Sequence, residues 1–401
     1  MKTILVISVL VLLSVPTWAQ ESGLTLDEAL LLAAERYPIL QAVGLEAEAA
    51  VQRADQAGAW LNPGVFLRME SAPRKGDVWG GSERIVGLSQ DIAFSGRLGA
   101  AREVARFEAG QLDQVRALTS REVEAAVRTA HAEALHARDA LELWHEGVEV
   151  ARHLLELASE RVAAGDAPRV DEGRAHMELG AAEAALGAAR VAEMDARNKL
   201  AATVGIDLME IGAVAGELMT DPSIPDLDEL IARIDHSPRN LLEGARVATE
   251  EARITEASRL RYPDLELEAG LRTAPDGDSF DAGVRLAVPL FDGGGARLSA
   301  ARAEAAAAQW RAQSQRRNLE LAVRRAHAEL TVSVEGARLY SEVVIPEATA
   351  AVRAAEAVYA VGDADLTDVL QITRDWIDAR RLQLDLILAE ARARATLVEL
   401  L

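Results

Sequence analysis

The sequence predicts a mainly α chain of long coiled-coil helices, interrupted twice by a pair of β-strands. Three observations carry this reading. Of 401 residues, half are hydrophobic but only 4% are aromatic, a balance that suits Ala/Leu/Glu/Arg-rich helices better than a sandwich or a compact α/β enzyme. Apolar and small residues recur at alternating spacings of four and three over long stretches. Four short segments switch to period-two alternation. The same composition excludes several functions. A net charge of −21 argues against nucleic acid as a partner, because phosphate binding needs clustered Lys and Arg. The absence of cysteine removes disulfides, thiolate metal sites, a Cys nucleophile and an acylated N-terminal Cys.

Residues 1–19 read as an export signal. Lys2 precedes an apolar run from Ile4 to Val15, followed by Thr17 and Ala19 as small residues at a cleavage site. The run is short of the ~20 residues a spanning helix needs. Cleavage removes only Lys2 among the charged residues and leaves −22. No later stretch is apolar enough for a helical span, so a membrane crossing would have to use strands.

The mature chain is expected to be two copies of one plan, 20–204 and 227–401, joined by a Gly- and Pro-bearing connector at 205–226. Tyr37-Pro38 is answered by Ser237-Pro238, and Asn62-Pro63 by Tyr262-Pro263. Phe94-Ser95-Gly96 is answered by Phe291-Asp292-Gly293, Gly165-Asp166 by Gly362-Asp363, and Asp171 by Asp368. Each copy runs helix, strand pair, long helix, turn, helix. The first helices are expected over Leu26–Gly58 and Leu227–Leu260. The strand pairs fall within 63–90 and 263–289. In the second, Leu265, Leu267, Ala269 and Leu271 alternate with Glu266, Glu268, Gly270 and Arg272. The loops between strands are expected at Ser71–Glu83 and Thr273–Phe280.

The long helices are expected at 97–162 and 296–361, each roughly 100 Å by helical rise. Val123, Val127, Ala130, Ala134, Ala137, Leu141, Trp144 and Val148 begin the 4-3 seam of the first. Alanine at so many seam positions permits close approach but buries little per residue, so each helix needs neighbours. Pro346 should bend the second. Short helices follow at 168–204 and 365–401. Two short helices end to end match one long helix, which makes a wall segment of four rods.

Four strands cannot close a membrane barrel alone, and open edges are not tolerated in lipid, so several chains would pool theirs. Seven of the fourteen mature aromatics fall near these strands: Trp60, Phe66, Trp79, Phe94, Tyr262, Phe280 and Phe291. Interface girdles enrich aromatics in this way.

Taken together, the signal, the duplicated halves and the two Gly-Asp turns resemble the TolC-type outer-membrane efflux proteins. The residues that carry the likeness are Leu24-Thr25-Leu26-Asp27-Glu28-Ala29-Leu30, Tyr37-Pro38, Asn62-Pro63, Val288-Pro289-Leu290-Phe291-Asp292-Gly293-Gly294, and Gly362 with Asp368-Val369-Leu370. The opening helix and Ala57–Pro63 are most similar to the heavy-metal (cobalt–zinc–cadmium type) branch. The resemblance implies a homotrimer forming a 12-stranded β-barrel in the outer membrane and an α-helical tunnel in the periplasm. It implies an exit duct joined by a periplasmic adaptor (membrane fusion) protein to an inner-membrane pump, of the proton-driven resistance–nodulation–division type. Heavy-metal cations are the expected cargo; a duct for organic drugs or secreted protein, or a periplasmic coiled-coil scaffold or adaptor, are the alternatives.

A duct has no catalytic site and needs no cofactor. By the resemblance, the turns at Gly165 and Gly362 form the periplasmic tip and the adaptor contact. Asp166, Asp171, Asp363 and Asp368 read either as helix caps or as an aperture ring that attracts cations. Gln371 stands where some relatives add a second acid. No metal ligation is expected. His131 and His136 bracket Glu133 at a spacing of five, which rotates the rings ~140° apart, so they read as surface histidines. Asp276-Gly277-Asp278-Ser279 begins like a calcium loop but lacks its later ligands and reads as a solvated loop.

Overall fold

A computed structural model of the chain describes residues 23–71, 76, 77, 79, 82–207, 210–274 and 276–401. The expected export signal lies outside them. The elements are α1 (Leu26–Arg36), α2 (Pro38–Ala57), β1 (Gly64–Glu70), β2 (Glu83–Ile92), α3 (Arg97–Ala164) and α4 (Arg169–Val204). They continue with α5 (Leu227–Arg233), a 3₁₀ turn (Ile234–His236), α6 (Pro238–Arg259), β3 (Leu265–Ala274) and β4 (Gly277–Leu286). The last are α7 (Gly295–Leu339), a π-turn (Tyr340–Val344), α8 (Ile345–Ala360) and α9 (Leu366–Leu400). Among the described residues, no helix is long and apolar enough to cross a membrane.

Both helices that open a copy are broken where the sequence pattern predicts them continuous. Proline has no N–H and forces the preceding residue out of the α region. Tyr37 accordingly sits at φ −69°, ψ 117°, and Ser237 at φ −67°, ψ 141°. Each proline then starts a new helix, α2 or α6. Pro346 acts differently. The π-turn over Tyr340–Val344 immediately precedes it, and its wider turn absorbs the carbonyl that a proline ring would strike.

The chain divides into two compact units. One takes in residues up to Tyr37, Ala126–Pro222 and Val332–Arg392. It holds α1, the helix ends around Gly165 and Gly362, and most of the connector. Its core is largely alanine with inserted large side chains. Leu154, Ala158, Ala175, Tyr359, Leu366, Val369 and Leu370 form one buried cluster. At α1, Thr25 and Glu28 make a capping box, and the Thr25 bonds hold the Glu28 carboxyl below the usual carboxylate range. Leu24 pairs with the connector through Leu24 N–H to Ala213 O (2.8 Å) and Ala215 N–H to Leu24 O (3.0 Å). Arg138 of α3 donates to the carbonyls of Val214 and Gly216.

The second unit comprises Pro38–Ala125, Ser223–Thr331 and Ala393–Leu401, and contains the sheet. Its strands run antiparallel in the order β1-β2-β3-β4. The loop expected at Thr273–Phe280 is mostly strand. Ala274 pairs with Gly277, and Gly277 at φ +134° takes the conformation that a tight reversal needs. Asp278 and Ser279 therefore pair with Thr273 and Arg272 instead of forming a solvated loop.

Candidate functional site

Strict alternation divides the sheet into two chemically opposite faces. Val65, Leu67, Met69, Val86, Leu88, Leu271, Phe280 and Val284 share one face and are exposed. A large exposed apolar face on a sheet needs lipid or another protein against it. The opposite face carries Arg68, Glu70, Glu83, Asp91, Glu266, Glu268, Arg272, Asp281 and Arg285. Its charges are cross-linked. Arg68 reaches Glu268 at 2.9 Å, while Arg285 reaches Glu266 at 2.7 Å and Glu268 at 2.9 Å. Arg272 pairs with Glu70 at 3.2 Å, with Asp281 at 2.7 Å and with Glu83.

The same parity corrects one expectation. Phe66, expected among the interface aromatics, lies on the charged face, in register with Gly87. An aromatic ring needs floor space on this crowded face, and glycine supplies it. A Cβ on Gly87 would stand 2.6 Å from the Phe66 ring and 2.5 Å from the Ala269 carbonyl. The guanidinium of Arg68 also packs 5.1 Å from the ring centroid. Trp60, Trp79, Phe94, Tyr262, Phe280 and Phe291 are all exposed. Phe280 lies on the apolar face; Trp60, Phe94, Tyr262 and Phe291 flank the helix-proximal strand ends, and Trp79 belongs to the distal loop.

The two Gly-Asp turns share one backbone design. Gly165 and Gly362 have φ of +82° and +94°. The N–H of Asp166 bonds to Arg161 O at 2.9 Å, and that of Asp363 to Val358 O at 3.1 Å. These are Schellman-type closures, which need a left-handed residue just past the helix. Asp166 and Asp363 are therefore presented by their main chains. Their side chains, with that of Asp368, are exposed and make no hydrogen bond or ion pair among the described residues. Asp368 lies in the first turn of α9, where a negative charge suits the helix dipole. Its backbone cap comes from Asp365 instead. That carboxylate accepts the Thr367 N–H at 2.8 Å, which lowers the Asp365 pKa.

Asp171 is the second correction. It is 7% exposed, with Arg174 3.6 Å away, so it cannot share the exposed role expected of its counterpart Asp368. Arg174 in turn donates to Thr367 at 2.9 Å. His131 is a third correction. It is buried, with Nε2 3.3 Å from the Leu24 carbonyl, and burial lowers its pKa. His136 pairs instead with Asp385 at 2.9 Å. No group of three or more His, Cys, Asp and Glu side chains is placed to hold a metal among the described residues.

The residue that joins the two turns is Arg161, which sequence reasoning missed. Its guanidinium donates to Tyr359 O at 3.0 Å and to Asp166 O at 3.1 Å, and lies 4.6 Å from the Tyr359 ring centroid. One side chain thus holds the end of α3, the turn after it and the end of α8. Tyr359 is fully buried beneath it. The sequence signal was slight: an Arg four residues before one Gly, and a Tyr three before the other. The cap at Asp365 was more legible, as an Asp just before a helix start.

Comparison with known proteins agrees with this geometry. A protein family described as "Outer membrane efflux protein" matches residues 29–206 and 242–401. The chain is 27% identical over 370 residues to the "Cobalt-zinc-cadmium resistance protein CzcC" of Cupriavidus metallidurans, covering 91% of this chain and 87% of that one. It is 26% identical over 401 residues to the "Outer membrane protein TolC" of Vibrio cholerae, covering 92% and 87%. Among solved structures, the open state of the Neisseria gonorrhoeae MtrE outer membrane channel superposes with a TM-score of 0.80 at 17% identity, covering 94% of this chain and 89% of that one.

Proposed function

Because this chain belongs to the outer membrane efflux protein family, we propose that it is the exit duct through which heavy-metal cations leave the cell. The protein is an outer-membrane efflux channel with its helical part in the periplasm, and not an enzyme. Its fold is that of trimeric channels in which each chain gives four strands to a twelve-stranded barrel and its helices to a helical tunnel. The exposed apolar face of the sheet then meets lipid, and the charged face lines the water-filled bore.

The finer assignment rests first on the relative described by cobalt, zinc and cadmium resistance. The charge of the bore supports it, because three arginines stand against six acids on the polar face of each chain. A bore of that sign raises the local concentration of cations. In this reading residues 1–19 are removed on export and the trimer is completed by a periplasmic adaptor and an inner-membrane pump of the resistance–nodulation–division type. The exposed Asp166, Asp363 and Asp368 ring the periplasmic aperture, while Gly165 and Gly362 present the turns to the adaptor. Trp60, Trp79, Phe94, Tyr262, Phe280 and Phe291 mark the two membrane interfaces.

Deletion of the gene is expected to sensitise its host to cobalt, zinc or cadmium salts, with resistance restored by the gene in trans. Sensitivity confined to organic drugs would reject the cargo while leaving the duct.

A further inference from the structure

The apolar face of the sheet does not end with β4. Phe280, Val284 and Leu286 alternate along it, and the alternation runs on past the strand through Val288 and Leu290, both exposed. Pro289 turns the chain there, with the Leu290 N–H closing on Val288 O at 2.9 Å, and Phe291 stands fully exposed. A guanidinium is built onto the same loop. Arg261, just past α6, donates from Nε to Gly293 O at 3.0 Å. It lies across Gly294, where a Cβ would stand 2.6 Å from the Arg261 Cγ. Its two terminal nitrogens make no hydrogen bond or ion pair among the described residues. Nearby arginines are committed, Arg97 to Asp264 at 2.8 Å and Arg297 to Asp292 at 3.4 Å. The first copy of the plan has Leu61 where the second has Arg261, two residues before the matching proline, so this turn occurs once per chain.

We propose that this loop seats one glycerophospholipid of the periplasmic leaflet, with its phosphate on Arg261 and its acyl chains on Val288, Leu290 and Phe291. Three features carry it. The loop joins β4 to α7, at the strand end nearest the periplasmic helices, which is the level of that leaflet's headgroups. The apolar side chains continue the lipid-facing surface of β4 without a break, so an acyl chain lying on Val284 and Leu286 has apolar contact up to the turn. The bond from Nε to Gly293 fixes the plane of the guanidinium and leaves its terminal N–H groups as the fork that matches two phosphate oxygens. Little freedom is then lost when a phosphate arrives. A free phosphate would lack the apolar contact, and a lipid without phosphate would lack the anion. The inference rests on the placement of Phe291 at a membrane interface and is independent of the cargo.

The test uses purified full-length trimers, identified as folded by heat-modifiable migration on a denaturing gel. They are titrated with phosphatidylglycerol, or with diacylglycerol of the same chains, and read by native mass spectrometry. Wild-type trimers are expected to retain phosphatidylglycerol, up to one molecule per chain, and to lose diacylglycerol. Arg261→Leu, which installs the residue of the first copy, is expected to lower the affinity for phosphatidylglycerol roughly tenfold. Inorganic phosphate at constant ionic strength should not displace the lipid; displacement would mark a simple anion site and overturn the proposal. The chain has no cysteine, so a nitroxide on Phe291→Cys reports this loop alone. In vesicles of phosphatidylethanolamine and phosphatidylglycerol the label is expected to be open to oxygen and shielded from a water-soluble nickel chelate. Equal retention of phosphatidylglycerol by wild type and Arg261→Leu, with the label in lipid, would overturn the proposal and keep Phe291 at the interface. A label shielded from both reagents would put a second copy of the chain against the loop and overturn both.

Discussion

Replacing Arg161 by alanine is expected to loosen the tip. The side chain makes two charge-assisted hydrogen bonds to backbone carbonyls, at 3.0 and 3.1 Å, and stacks 4.6 Å from the Tyr359 ring centroid. Such a bond contributes roughly 1.5 kcal/mol or more when buried, and the stacking about 0.5–1 kcal/mol where water has access. Arg161 is only half-buried, and contacts made by one side chain do not add in full. About 2 kcal/mol is therefore a fair figure for the whole residue, and it corresponds to roughly a 30-fold shift between the joined and separated turns. If the turns form the aperture, single-channel recordings should show longer or more frequent open intervals in Arg161→Ala trimers. Arg161→Lys should fall between, because lysine keeps the charge but not the flat fork that reaches two carbonyls at once. An Arg161→Ala trimer that is folded and has the open-interval distribution of the wild type would refute the role given to this side chain.

Two further outcomes are set by the packing. Gly87→Ala would set a Cβ 2.5 Å from the Ala269 carbonyl and 2.6 Å from Phe66, and is expected to destabilise the barrel by about 1–3 kcal/mol in a urea unfolding series. Adding Phe66→Ala should recover only part of this, since the carbonyl belongs to a paired strand and cannot step aside; complete recovery would contradict the register. The depressed pKa of His131, caused mainly by burial, makes the folded chain resist a proton that the unfolded chain accepts. Stability should therefore fall as pH drops below ~6.5, the ordinary histidine value, and His131→Gln should flatten that part of the melting-temperature profile. Parallel profiles for the two proteins would remove His131 as a cause.

The legible part of the fold rests on periodicity. Period-two alternation is local, so Leu265 to Leu271 announce a strand and the face it shows without any knowledge of its partner. The seam of α3 is legible for the same reason. Phe66 is misplaced by a reading that counts closeness to strands without asking which parity the residue has. The burial of Asp171 is out of reach, because its equivalence to Asp368 is a matter of sequence and its burial a matter of neighbours. Arg161 and Tyr359 lie 198 residues apart, and no pattern within either segment points to the other. The breaks at Tyr37 and Ser237 are available from proline chemistry but are outweighed by the continuous apolar pattern around them.

The π-turn before Pro346 reaches further than the helix that contains it. From Gly96 to Gly165 and from Gly293 to Gly362 the residue count is the same, yet among the described residues only the second stretch spends part of it on a wider turn. One residue absorbed in this way turns the remainder of the stretch by roughly 100° relative to an unbroken helix and shortens it by ~1.5 Å. Two stretches of equal length therefore deliver their turns out of phase. Around a ring of three chains the six hairpins alternate between two kinds, and the periodicity of the tip drops from six to three. If the turns form the aperture, one kind can move while the other stands still, a freedom that six equivalent hairpins would lack.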